Sequence, residues 1–359
     1  MEWYPLKLST PLAHHVFGGQ RIAEQLGKRG LPDGKPVAES WEVSDVEGKR
    51  AEVLNGAFKG RSLHELVEEY PNELVEPGWQ GPHFPLLFKF IDATGMLPVH
   101  LHADDDTARR LGHWPHGKTE SWHILWAAPR ATLLLGVKAG VSKPQLRDAL
   151  LRQAYDEVMH RYEVRAGDTF YVPAGTLHSF GPGTLLCEIQ QTADIQQQAM
   201  PWKMEDGSEL SRQEWERNID ALLDEINLEL QSGPQPGLVL HEAEGVERRI
   251  CCAGPYFAME RLRIVEGYRR RIDRATLLTN LGAPLTLSGP GWQETLARAE
   301  TVVLPAALGE LELHGASEIL INYVPHLEQD IVRPLKQAGY SEREIHRLGD
   351  VEARHGKPH

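Results

Sequence analysis

The sequence predicts a mainly β chain, built as two small β-barrels or sandwiches with helical additions. Three observations carry this. Short apolar runs punctuated by Gly and Pro recur in two regions, one before residue 192 and one over 238–325. Helical patterns lie between and beside them. Gln231-Ser232-Gly233-Pro234-Gln235-Pro236-Gly237 reads as a linker. Two strand-rich regions joined in this way suggest two packed β units rather than one large layer structure.

The elements follow in order. Ser40-Trp41-Glu42-Val43-Ser44 alternates as a strand does. Residues 61–78 read as a helix, with Leu63, Leu66 and Val67 at spacings of three to four. Residues 84–102 read as two short strands joined by Ala93-Thr94-Gly95. Residues 142–160 read as a helix whose Ser142 and Gln145 form a capping box, with Pro144 in the first turn. Residues 161–191 read as strand and turn, punctuated by Gly167-Asp168, Pro173-Ala174-Gly175 and Gly181-Pro182-Gly183. A helix over 209–231 begins at Ser211 with Glu214 three residues on, and carries a core stripe of Trp215, Ile219, Leu222, Leu223 and Ile226. A last short helix is expected over 341–348, starting at Ser341 with Glu344. The expected division is therefore 1–232, 238–328 and a helical tail over 329–359, whose polar end frays.

Composition narrows the function classes. The 359 residues include 51 acidic and 38 basic side chains, a formal charge of −13. Apolar residues at 41% and charged ones at 25% are those of a folded globular chain. The acidic balance argues against nonspecific nucleic-acid or anionic-membrane partners. No apolar run approaches a membrane span, and the Met-Glu-Trp-Tyr-Pro start has no signal-peptide pattern. Three Cys, two of them adjacent at 251 and 252, make no disulfide framework and point to a reducing cytoplasm. The 17 His are the unusual count, since His is a common metal ligand and acid–base group.

Val99-His100-Leu101-His102 is the sharpest local feature. On a strand His100 and His102 share a face, where two imidazoles can hold one divalent metal. A longer pattern follows: Gly167 to His178 has the spacing G-x5-P-x-G-x2-H. Its turns deliver His178 to a fixed height in the next strand. This stretch resembles, residue for residue, the second motif of the cupin superfamily. The first cupin motif is a His-x-His followed by a Glu. Here His100, His102 and Glu120 would supply it, with 103–118 as an insertion over the barrel mouth. The resemblance implies two cupin (jelly-roll) barrels. A three-His, one-Glu set suits Zn²⁺ first, with Fe²⁺ or Mn²⁺ as alternatives.

Further stretches sharpen the likeness. They are His15-Val-Phe-Gly-Gly19, Glu39-Ser40-Trp41-Glu42, Phe84-Pro85-Leu86-Leu87-Phe88-Lys89, Gly117-Lys118-Thr119-Glu120-Ser121-Trp122, Gly175-Thr176-Leu177-His178 and Glu188-Ile189-Gln190-Gln191. In this order they resemble the type I mannose-6-phosphate isomerases in their short bacterial form. That resemblance implies a metal-dependent aldose–ketose isomerase acting through a cis-enediol(ate), with a second barrel that holds no metal. It places the metal ligands at His100, His102, Glu120 and His178, with His100 where the family has Gln. It gives Lys118 and Glu188 the proton-handling roles, and Trp41, Glu42, Lys89, Asp194 and Gln198 places along the substrate. His123 is expected to pack.

One departure bears on the substrate. Gln198 stands where the family has an active-site Arg, and Gln supplies no fixed positive charge. Lys203, Arg109 or Arg110 are candidate replacements. The substrate is thus a sugar or sugar phosphate, with an unphosphorylated or atypical sugar open. Two other classes stay open from the residues alone: another metal-dependent cupin enzyme on a sugar or glycoside (lyase, hydrolase or dioxygenase), and a non-catalytic sugar-binding cupin.

Overall fold

The computed structural model describes residues 2–112 and 116–352. Strands are numbered along the chain. The first twelve are β1 (Leu6–Lys7), β2 (Leu12–Ala13), β3 (Glu39–Val43), β4 (Leu86–Ala93), β5 (His100–Leu101), β6 (Glu120–Ala127), β7 (Thr132–Val137), β8 (Met159–Glu163), β9 (Thr169–Val172), β10 (His178–Phe180), β11 (Thr184–Gln191) and β12 (Gln197–Gln198). A six-stranded sheet ordered β2-β3-β4-β11-β6-β9 and a five-stranded sheet ordered β12-β5-β10-β7-β8 form the first barrel. Ile91, Trp122, Ile124, Leu133, Leu135, Phe180 and Leu186 from both sheets fill the space between them.

The second barrel uses β13 (Leu238–Ala243), β14 (Val246–Ala253), β15 (Ala258–Ile264), β16 (Gly267–Ile272), β17 (Thr276–Asn280), β18 (Leu285–Gly289), β19 (Trp292–Leu296), β20 (Thr301–Leu304), β21 (Gly309–His314) and β22 (Ser317–Tyr323). Its sheets are ordered β1-β20-β17-β22-β15-β14-β13 and β16-β21-β18-β19. The paired strands in both barrels run antiparallel, so hairpins and short turns suffice to connect many of them.

Two features depart from the expected division. β1 does not join the first barrel: Leu6 pairs with Val303 and Lys7 with Val302, so the N-terminus caps the edge of the second barrel's large sheet. The C-terminal helices are not a separate tail. Ile331, Leu335, Ile345, Leu348 and Val351 are buried in the second barrel's core. Residues 353–359 of the expected tail, and 113–115 of the expected insertion, lie outside the described residues.

The helices are shorter than periodicity suggests. The stretch expected over 61–78 breaks into Leu63–Glu69 and Pro71–Leu74. Pro71 has no N–H to continue the first helix and pushes Tyr70 out of helical geometry. The 142–160 stretch gives Lys143–Leu151 and Tyr155–Val158, then turns into β8 at Met159. Arg212–Glu225 ends where Ile226 becomes extended. The expected start signals are present. Glu214 and Glu344 each accept from the backbone N–H of Ser211 and Ser341, at 3.0 and 2.8 Å, and Gln145 accepts from Ser142 N–H at 2.9 Å.

Candidate metal and active site

The site sits inside the first barrel and is built by strand register. Along the six-stranded sheet Trp41 pairs with Lys89, Lys89 with Glu188, and Glu188 with Trp122. Registered partners share a face, so one row of side chains crosses four strands. From the opposite sheet His178 pairs with His100 on the neighbouring strand. The cleft between the sheets measures about 500 Å³ with its open mouth, and His100, Lys118, Glu120, Glu188, Lys89 and Asp194 are among its lining residues.

Three histidines meet at the closed end. The nitrogens of His100, His102 and His178 lie within 4.8 Å of one another. Each Nδ1–H donates to a backbone carbonyl: His100 to Pro98 at 2.7 Å, His102 to Ile195 at 2.7 Å and His178 to Thr176 at 2.8 Å. These bonds fix the tautomers and leave every Nε2 with a lone pair facing inward. His178 Nε2 stands 3.0 Å from His100 Nε2 and 3.2 Å from Glu120 Oε1, and His102 Nε2 is 3.2 Å from Glu120 Oε2. Donors bound about 2.0–2.1 Å from one tetrahedral zinc stand about 3.4 Å apart, so the spacing fits a divalent cation. His102 Nε2 is buried without a directed hydrogen bond, while Glu120 Oε2 beside it is 3.0 Å from the Lys118 ammonium. The orphaned imidazole nitrogen and the lone pair meeting lone pair are both what a bound cation resolves. Electrostatics agrees. Burial, then Lys118, lowers the His102 pKa to about 3, and burial with its His neighbours holds His100 well below its usual value, so both are neutral ligands. Burial works against ionisation of Glu120, but the neighbouring Lys118 ammonium, first among its partners, helps hold its pKa well below the usual carboxylate value.

Lys118 is delivered by a tight backbone. Gly117 N–H donates to Asp105 at 2.6 Å, and Thr119 N–H to the Gln191 side chain at 2.8 Å. A Cβ on Gly117 would fall 2.5 Å from the Asp104 backbone, which accounts for the glycine. The Lys118 ammonium lies 3.0 Å from Glu120 and 3.9 Å from Glu188. Glu188 takes one hydrogen bond, from Trp122 Nε1 to its Oε2 at 3.0 Å. Its Oε1 is buried without one. Burial and the nearby Glu120 charge raise the Glu188 pKa. Burial opposes the Lys89 charge, but Glu39 (3.4 Å) and Glu188 (3.6 Å) raise its pKa overall.

With this geometry in view, the comparisons are specific. The family profile described as phosphomannose isomerase type I, catalytic domain, matches residues 6–121. The probable mannose-6-phosphate isomerase GmuF of Bacillus subtilis is 29% identical over 328 residues, covering 89% of this chain and 99% of that protein.

Over most of its length the chain is similar to mannose-6-phosphate isomerases, and its first third matches the type I catalytic domain.

The fold agrees. A mannose 6-phosphate isomerase structure from Bacillus subtilis superposes with a TM-score of 0.81 at 23% identity, over 90% of this chain and 100% of that one. A mannose 6-phosphate isomerase bound with zinc and yttrium superposes at 0.70 with 12% identity, over 89% and 99%.

The remaining residues expected along the substrate divide. Lys89 and Asp194 line the cleft; Trp41 does not. Trp41 lies fully buried beneath it, its ring 4.0 Å from the Lys49 ammonium and 4.1 Å from that of Lys89. Glu42 faces away, held by Lys28 at 2.7 Å and Ser40 at 2.6 Å. Gln198 pairs in register with His100 but is absent from the cleft lining, where Gln196 appears instead. Lys203, Arg109 and Arg110 are exposed and likewise outside the lining. His123 packs, bonding Thr169 at 2.8 Å.

Three ionisable lining residues were missed by sequence reasoning: Glu39, His15 and Lys49. Glu39 accepts from Trp41 Nε1 at 2.7 Å, the same-face contact expected two residues apart on a strand. Lys49 sits in a Gly-Lys turn with no motif to mark it. It spans Trp41 and Asp194, 3.2 Å away. Partial burial works against Asp194 ionisation, but Lys89, Lys49 and Lys118 lower its pKa to about 2.

Proposed function

We propose that this protein is a zinc-dependent isomerase interconverting mannose 6-phosphate and the corresponding ketose. The observation that carries the reading is the convergence of three tautomer-locked Nε2 atoms and the Glu120 carboxylate, directly beside the Lys118–Glu188 pair. A divalent ion held by His100, His102, His178 and Glu120 supplies Lewis-acid polarisation of the sugar's carbonyl and neighbouring hydroxyl. Zinc suits this neutral-imidazole and carboxylate set and is bound by a structural relative.

Aldose–ketose exchange moves a proton between C2 and C1 through a cis-enediol(ate). Glu188 is the group we assign to that transfer. Trp122 fixes one of its oxygens and leaves Oε1 toward the cleft, and burial with the Glu120 charge raises its pKa, the direction that suits a general acid–base group. Lys118 lies between Glu120 and Glu188 and serves the hydroxyl proton and the developing negative charge. Lys89, held between Glu39 and Glu188, keeps the Glu188 carboxylate oriented. Lys49, at the mouth and over the Trp41 ring, is the cation we assign to the phosphate in place of the absent Arg.

One observation favours a second reading, isomerisation of an unphosphorylated sugar. Glu39 and Asp194 lie on the same lining as Lys49, and Lys49 already has an anionic partner. Incubating the metal-loaded protein with mannose 6-phosphate and with mannose, and assaying the ketose, separates the two. Turnover of the phosphate ester supports the first, turnover of mannose alone the second. No ketose from either, with metal bound, refutes isomerisation of these sugars. We place the protein in the cytoplasm: Cys187, Cys251 and Cys252 are buried free thiols, and no helix among the described residues is long and apolar enough to cross a membrane.

A further inference from the structure

A second cluster of metal-ligating side chains lies outside the catalytic cleft. Asp45 follows β3, His64 lies in the helix Leu63–Glu69, and His83 precedes β4. One ligand atom from each falls within a common 4.8 Å. Asp45 is completely buried and fixed, its Oδ2 accepting Phe84 N–H at 2.9 Å. His64 Nδ1 stands 3.1 Å from Asp45 Oδ1, and His83 Nδ1 stands 3.8 Å from Asp45 Oδ2. Both imidazoles therefore turn the same nitrogen toward one carboxylate, with their ring centres 5.5 Å apart.

We propose that Asp45, His64 and His83 form a second binding site for a zinc-class transition metal. Two imidazole nitrogens and one carboxylate match the two-His, one-carboxylate sets such ions take, and are poor in the oxygens that Mg²⁺ or Ca²⁺ require. The histidine side chains are 17% and 15% exposed, so an ion reaches the site from solvent and keeps a water as its fourth ligand. Arg50, whose Nε is 3.5 Å from Asp45 and whose side chain is 35% exposed, now balances the carboxylate. It would turn outward when a divalent ion takes that charge. The consequence is mechanical. The site ties the chain after β3 to the chain before β4, and those strands carry Glu39 and Lys89 into the cleft. Metal there braces two walls of the cleft without touching substrate. The proposal does not depend on the catalytic reading.

The test counts metal. The full-length protein is stripped with chelator, dialysed against micromolar free Zn²⁺ and analysed by mass spectrometry of the metal. Two ions per chain are expected in the natural sequence, and one in the double variant His64→Ala, His83→Ala. The single variant His83→Gln guards against a folding defect and is also expected to hold one. In a His100→Ala, His102→Ala protein, added zinc still raises Tm, and that rise disappears when the His64 and His83 changes are added. A zinc count that does not fall when His64 and His83 are replaced, in the natural sequence and in the His100→Ala, His102→Ala protein alike, overturns the proposal whatever the catalytic site holds.

Discussion

His100 Nε2 and His178 Nε2 face one another at 3.0 Å, each with its Nδ1 proton committed to a backbone carbonyl. Two lone pairs at that distance repel unless a cation lies between them. Chelation is therefore expected to abolish turnover and to destabilise the fold. Metal at about a thousand times its Kd contributes about 4 kcal/mol of stability. Thermal denaturation with and without zinc measures this, and an unchanged Tm counts against a metal held by these residues.

Glu188 handles a proton without holding the metal. Glu188→Gln should keep zinc bound and lower kcat by about 10²–10⁴, the usual range for loss of a general acid–base group. Parallel measurement of kcat and metal content tests the assignment. Activity within a few fold of the natural protein removes Glu188 from the chemistry.

Lys49 discriminates phosphate. A hydrogen bond to a charged group contributes about 1.5–3 kcal/mol, so Lys49→Ala should raise KM for mannose 6-phosphate by about 10- to 100-fold. Any turnover of mannose should stay unchanged. Equal effects on both sugars would mean that Lys49 supports Trp41 and the cleft wall instead.

The second barrel has its own acid-sensitive centre. Glu260 is fully buried between Arg248 at one oxygen and Arg270, 2.9 Å from the other, with Tyr323 also bonded. Burial opposes its ionisation, but Arg270 and Arg248 prevail and lower its pKa to about 2. A carboxylate depressed in the folded state contributes stability that is fully present above about pH 4.5. It is lost as pH falls toward 2. Glu260→Gln should destabilise the protein by about 3–5 kcal/mol at pH 7, because it leaves the buried Arg248 and the half-buried Arg270 short of charge. It should also flatten the loss between pH 4.5 and 2. Denaturant melts at pH 7, 4 and 3 read both effects.

Much of the first barrel was legible in the sequence because strand alternation and turn chemistry are local. His100, His102 and His178 fall where the spacing of their motifs sets them. Glu39 was missed in favour of Glu42 although a signal was there: Glu39 shares its strand face with Trp41, whereas Ser40 and Glu42 share the other, so a strict period of two selects Glu39. Other features depend on distant pairing. β1 docks on Val302 and Val303, nearly 300 residues away, and no local pattern announces that. Lys49 reaches the cleft from a turn, and Asp45, His64 and His83 converge from three segments. Gln198 shows the opposite error. It sits at the position where an Arg is expected, yet Gln196 lines the cleft.

The most direct test uses the His64→Ala, His83→Ala protein, where only the catalytic site should hold zinc. Zinc is titrated into the stripped protein while occupancy and ketose formation from mannose 6-phosphate are followed together. Turnover should rise in proportion to occupancy up to one ion per chain, and both should be lost when His178→Ala is added. Turnover that ignores occupancy, or full zinc binding without His178, would contradict the account.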